Sequence, residues 1–316
     1  MDIPLPSTWA EARTQLLPVL RRSTEPANAW QLAQSDPSNS LLRQPFAPYL
    51  SQLVVLDLPE MRVYINNSHL ELWGVDAAAV YAAARENLLP AATTGLRRRA
   101  EYDLLHLDSG DGYESSRLLL AGWLSAFTDS VEGDPLAIVP SARLLMIGGT
   151  EAPGQAATLL DIAWQGFRTA GGPLSPVVYT VDGYGQIVPW RPGPDCELAA
   201  KVRGCEHLLA GYEYSEQRDQ LVSAGRSEAI PTVTLVRSRE SGESYTSCRW
   251  VEADGEALLP QTDRVVMVSA EEETEVLWEA VERHAAGCLE PTELMPKRYR
   301  ARWPMPKTYE SLKGSQ

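Results

Sequence analysis

The residues best equipped for chemistry fall in one short stretch, Asp111-Gly-Tyr113-Glu-Ser115-Ser116-Arg117. A carboxylate, a phenol, two hydroxyls and a guanidinium meet there at an expected helix start. A helix N-terminus presents free N–H groups and attracts anions. In an enzyme built on this stretch, Arg117 would hold a small anionic substrate and Asp111 would act as general base, with Tyr113 and Ser116 beside them. The same residues suit a plainer arrangement. Asp111 and Glu114 stand at capping-box spacing, which leaves Arg117 as a surface cation.

The second stretch is Lys297-Arg298-Tyr299-Arg300-Ala301-Arg302-Trp303, where cations alternate with aromatics. Such a pattern can stack bases or hold a partner, or it can fold back on an acidic body. Lys297, Arg298, Tyr299, Arg300, Arg302 and Trp303 are therefore the candidate partner-binding residues.

Other patterns fail on spacing. Gly149-Thr-Glu-Ala-Pro-Gly154 has the glycine spacing of a phosphate loop, but Gln155 and Ala156 stand where Lys and Ser/Thr are needed. Cys196, Cys205 and His207 share one expected helix, and at roughly 100° per residue their side chains diverge. Asp108-Ser-Gly-Asp-Gly-Tyr-Glu114 puts glycine at the third and fifth positions of a would-be calcium loop, where oxygen ligands belong. Gly225-Arg-Ser227-Glu-Ala229 is close to a nucleophile elbow but lies between a helix end and a strand, the reverse of the required order. A Ser/His/Asp constellation would have to assemble from distant residues. No metal and no cofactor is expected from these patterns.

A formal charge of −14 repels phosphate backbones and anionic membranes. It is uneven: Met295–Gln316 carries +5 and the preceding residues −19. The densest apolar runs, such as Leu118–Leu124, are far below the ~18–20 residues of a membrane span. Met1-Asp2-Ile3-Pro4 lacks the basic start of a secretory signal. Cys196, Cys205, Cys248 and Cys288 are too sparse for a disulfide framework and read as reduced thiols. A cytoplasmic chain without membrane contact is expected.

The positioning elements follow from periodicity. A helix is expected over Ser7–Leu20 with Thr8 and Glu11 as capping box, then a polar loop over Ser23–Ser40. Strands are expected at Gln52–Leu58 and Arg62–Ile65, a helix after Asn66 interrupted at Trp73-Gly74, and another from Asp76 to Leu89. Tyr102–Leu107 reads as strand and Glu114–Phe127 as helix. Leu136–Val139 and Arg143–Ile147 are strands, followed by a helix from Gln155 and a hairpin around Asp182-Gly183-Tyr184-Gly185. Arg191-Pro-Gly-Pro194 is the expected linker. A long helix runs from it to Gly225, then strands at Thr232–Arg237, Tyr245–Glu252 and Arg264–Val268, and a last helix over Thr274–Ala286. Glu271-Glu272-Glu273 would suit that helix's N-terminal dipole.

Interleaved helices and hairpins favour an α+β fold, with mixed or antiparallel sheets, two subdomains and a basic tail. The expected divisions are residues 1–47, 48–192, 193–294 and 295–316.

Several stretches resemble the bacterial YtpQ-like family, a domain of unknown function. They are Val55-Leu-Asp57-Leu-Pro59, His69-Leu-Glu-Leu-Trp73-Gly74-Val, Ala84-Arg-Glu-Asn87-Leu88, Asp111-Gly-Tyr113 with Ser116-Arg117-Leu118-Leu119, and Gly133-Asp-Pro135 with Val139-Pro140. An Arg-Asp pair often follows the last of these in the family; here Ser141-Ala142-Arg143 stands instead. The resemblance implies a conserved α+β unit of bacterial, cytoplasmic origin and supplies no catalytic residues.

The sequence thus favours a non-catalytic protein-binding or regulatory chain whose acidic body neutralises a basic partner. The alternatives are an enzyme on a small anionic substrate around Asp111–Arg117, and single-stranded nucleic-acid binding by the tail.

Overall fold

A computed structural model describes residues 5–27, 29–237 and 243–314; Met1-Asp2-Ile3-Pro4 lies outside them. The fold is α+β, as expected, and divides into two compact units, Met1–Val202 and Arg203–Gln316. The division falls beyond Arg191–Pro194, inside a long helix.

The first unit opens with α1 (Trp9–Ala12), capped by Thr8 and Glu11 as their spacing predicts. The chain then leaves the expected helix and forms β1 (Leu16–Arg22). Leu-Leu-Pro-Val-Leu fits a buried strand as well as a helix turn. Pro18 decides between them: it cannot donate a helical hydrogen bond, but it is tolerated on an edge strand, and among the described residues β1 pairs only with β3. The expected polar loop holds α2 (Ala29–Ser35). β2 (Arg43–Ala47), β3 (Leu50–Leu58) and β4 (Met61–Tyr64) complete an antiparallel sheet in which β3 is central and almost wholly buried.

α3 (Asn67–Trp73) ends at Gly74 in the left-handed conformation, and α4 (Ala77–Leu88) starts from the Asp76 cap. Leu56, Ile65, Trp73, Val80 and Ala84 form one core between these helices and the sheet. A second antiparallel sheet contains β5 (Leu96–Arg99), β6 (Leu104–Leu107), β7 (Pro135–Ser141) and β8 (Leu144–Gly149), then β9 (Val178–Val181) and β10 (Ile187–Pro189), in the order β10-β9-β7-β8-β6-β5. α5 (Gln155–Thr169) follows β8 and buries Leu159, Leu160, Ala163 and Phe167.

The second unit takes most of α6 (Ala199–Ser223). Its larger sheet holds β11 (Thr234–Arg237), β12 (Ser244–Val251), β14 (Arg264–Val268) and β15 (Glu273–Leu277), with β12 and β14 parallel. β13 (Ala257–Pro260), β16 (Leu289–Pro291) and β17 (Arg298–Ala301) form a separate sheet with β17 in the middle. The last helix begins later than its pattern suggests. Glu273–Leu277 alternates exposed and buried residues as a strand does, and α7 spans Trp278–His284. Glu273 therefore sits in a sheet, paired with Arg249, and not at a helix N-terminus.

The segment expected as a basic Pro-rich tail, residues 295–316, supplies β17 and α8 (Pro306–Lys313) to this unit. Its core gathers Trp250, Leu259, Met267, Val276, Trp278, Val281 and Leu312. All four cysteines are free thiols. No helix among the described residues is long and apolar enough to cross a membrane.

Candidate functional site

Glu114–Phe127 is not one helix. Two 3-10 helices, Glu114–Leu119 and Ser125–Ser130, replace it. The reason is local. Asp111 does not cap a helix; its Oδ1 accepts the Tyr113 N–H at 2.8 Å and both its oxygens face Arg117. Glu114 turns back to accept the Gly110 N–H at 2.9 Å and the Ser109 hydroxyl at 3.0 Å.

Arg117 is fully buried. Its Nη2 donates to Asp111 Oδ2 at 2.5 Å and to the Ala91 carbonyl at 2.9 Å. Its Nη1 donates to the Tyr113 carbonyl at 2.8 Å and to Asp111 Oδ1 at 3.2 Å. From β4, Arg62 lies 4.3 Å over the Tyr113 ring and donates to the Asp111 carbonyl and to Asp57. Burial, reinforced by the Asp57 carboxylate, pushes the Tyr113 phenol up. Burial also raises the Asp111 carboxyl, but its bonds from Arg117 and the Tyr113 N–H outweigh that and hold it below its usual range.

The sequence thus brings Asp111, Tyr113 and Arg117 together, but onto one another. Ser115 and Ser116 are buried. A guanidinium closed by a carboxylate and two carbonyls has little left to offer an anion, and a carboxyl held low is a weak base. A cavity of about 210 Å³ borders the chain from Leu118 onward, but none of Asp111, Tyr113, Ser116 and Arg117 lines it.

The other stretches resolve similarly. The Gly149–Gly154 segment is a strand-to-helix turn: Gly149 packs on the Glu132 backbone, and its N–H donates to Gln155 Oε1 at 2.9 Å. Asp108, Asp111 and Glu114 face different partners: Arg99, Arg117, and Ser109 with Gly110. Among the described residues, no three His, Cys, Asp or Glu side chains gather as a metal would require.

In the C-terminal stretch Arg298 is fully buried, so it is not available to a partner. It donates to Gln217 Oε1 at 2.6 Å and to the carbonyls of Leu258, Pro231 and Tyr214. Burial lowers its pKa to about 10. Trp303 packs on Trp250 and Tyr309, Tyr299 packs on Trp278, and Lys297 lies over Tyr299. Arg300 sits among Glu228, Glu256 and Glu290, and Arg302 pairs with Glu256. The rings that could stack bases are already stacked on the protein.

Spacing could not reveal one constellation. His207 on α6 has Nδ1 3.1 Å from Ser244 Oγ and Nε2 3.3 Å from Asp263 Oδ2. These are the residue types of a nucleophile, base and orienting acid. Asp263 Oδ2, however, already accepts the Thr246 N–H at 2.6 Å and the Thr246 hydroxyl at 2.7 Å. That engages the Thr246 N–H, two residues from the serine, on the acid rather than on a substrate.

Fold and site together define a two-unit α+β protein in which Arg117 and Arg298 are buried on internal partners. No family model, no curated protein and no solved structure matches the chain. These comparisons lend the motifs set beside the YtpQ-like family no support. Several of their residues hold the fold: Trp73 Nε1 donates to the Pro6 carbonyl, and Asn87 ties the carbonyls of Arg13 and Leu16.

Proposed function

We propose that the protein is a non-catalytic binding protein that holds a basic partner on the acidic surface of its second unit. The observation that carries this reading is the charge of residues 251–294, where twelve carboxylates face only Arg264 and Arg283 in the sequence. The cations of the last segment fold back and engage Glu228, Glu256, Glu272 and Glu290. Glu252, Asp254, Glu271, Glu279, Glu282 and Glu293 stay exposed and form no ion pair among the described residues. Glu279 and Glu282 lie three apart on α7 and so share a face. Such a field steers a cationic surface toward it, and the attraction weakens as salt screens it.

Affinity capture from native lysate at 50 and 300 mM salt (roughly 14 and 6 Å of screening length) tests the reading. A Lys/Arg-rich protein is expected to be retained at low salt and lost from the Glu279→Lys/Glu282→Lys variant. Reversal of Glu60 and Glu71, in the first unit, is expected to leave capture intact. Equal loss in both variants would mean attraction by net charge alone, and no salt-sensitive partner would remove the proposal.

A further inference from the structure

The cavity of about 210 Å³ in the first unit has a chemistry unlike the rest of the chain. The protein carries 42 acidic residues, yet none lines this space, and its single charged wall residue is Arg85. Arg85 projects from α4, is half-buried, and among the described residues makes no hydrogen bond or ion pair. A cation in the last turn of a helix suits the dipole, but that does not explain its neighbour on the wall.

That neighbour is Gln52, a polar residue in the middle of the buried strand β3, opposite Leu20 on one side and Gln44 on the other. It is 6 % exposed, and its Nε2 has no acceptor. A buried amide donor without an acceptor is unfavourable, and buried polar groups are ordinarily paired. Both residues border the same cavity, with the Gln52 Nε2 itself covered by its neighbours. The surface facing the cavity is more polar than apolar, with Gln44, Ser125 and Gln186 on it, and Phe46, Leu119, Leu124 and Ile187 supply its apolar part.

We propose that this cavity binds a small carboxylate carried on a short apolar stem. The carboxylate oxygens accept from the Arg85 guanidinium and, as the side chains over it adjust, from the Gln52 amide. The stem lies against the leucines of the Leu118–Leu124 segment. The volume is below the ~300 Å³ at which drug-sized pockets begin, which limits the occupant to a small acid. This site is independent of the acidic surface on the second unit.

The test is titration of the full chain with hexanoate at constant ionic strength, followed by amide chemical shifts. Saturable shifts are expected around Gln52, Arg85 and Leu119. Hexylamine and inorganic phosphate are expected to leave those resonances in place. Arg85→Met should weaken hexanoate at least tenfold, with Arg85→Lys intermediate. Gln52→Leu should also weaken binding, while raising the melting temperature of the free protein because the unpaired amide is gone. The proposal is overturned if hexanoate does not saturate, if Arg85→Met binds it equally well, or if hexylamine or phosphate produces the same shifts.

Discussion

Arg117 Nη2 and Asp111 Oδ2 lie 2.5 Å apart, with the arginine fully buried and the aspartate side chain about one-third exposed. The pair closes a loop whose other bonds run to the Tyr113 and Ala91 carbonyls. Its members are unequal: removing the acid strands a buried charge, whereas removing the base leaves a carboxylate that water can reach.

Asp111→Ala should therefore destabilise the protein by about 3–5 kcal/mol, and Arg117→Met by less, about 2–3 kcal/mol. The double variant should lose less than the two combined, because the singles share one interaction. Urea denaturation followed by fluorescence measures all three. Strict additivity would show that the pair is not coupled.

The same pair gives an acid dependence. The folded Asp111 carboxyl lies below its unfolded value of 3.8. Its contribution is complete above that value and is lost as pH falls through the lower, folded one. Wild type should lose stability below about pH 4 more steeply than Asp111→Asn. Equal slopes in the two proteins would remove this assignment.

Deleting residues from Met295 onward should unfold the second unit, not merely strip its charge, because β17 pairs with both β13 and β16. Amide exchange at Ala257 and Leu259 should rise toward that of an open chain. Nucleic-acid binding by this segment is better probed with Arg302→Glu and Lys307→Glu, both at exposed positions. A protected amide at Leu259 in the truncated chain would contradict the strand's role, whereas the Leu258 N–H bonds to Ala229 and does not report on it.

A serine-directed fluorophosphonate should leave Ser244 unlabelled in the folded protein, since the Asp263 Oδ2 beside His207 already accepts the Thr246 N–H and hydroxyl. Mass spectrometry of wild type and Ser244→Ala decides this. Covalent labelling lost in Ser244→Ala and in His207→Ala would show that His207 activates a nucleophile.

Thiol reagents should distinguish the cysteines. Cys205 and Cys248 are buried, and burial pushes the Cys248 thiol up to about 11. Cys196 should react first at neutral pH, Cys288 more slowly because burial raises its thiol too, and the buried pair only on unfolding. Prompt modification of Cys248 would contradict this burial.

Much of the fold was legible because local signals agree with tertiary need. Gly74 and Asp76 punctuate α3 and α4 where their residue types predict, and the Asp182–Gly185 turn joins β9 to β10. The misreadings share one cause, that a partner distant in sequence decides the outcome. Leu16–Leu20 becomes strand because β3 offers a ladder, and Glu273–Leu277 because β14 does. At the candidate site, spacing brought Asp111 and Arg117 together but could not show that the Ala91 carbonyl, from before β5, accepts from Arg117 Nη2. Nor could it show Ser244, His207 and Asp263 meeting, or Gln52 and Arg85 on one wall, since each set comes from separate elements.

The central place of β17 has a consequence for biosynthesis. As the chain emerges from the ribosome, Ala257–Pro260 and Leu289–Pro291 wait with unsatisfied ladder edges until Arg298–Ala301 arrives between them. A translation product halted before that point would present sticky edges, the feature that invites aggregation and chaperone capture.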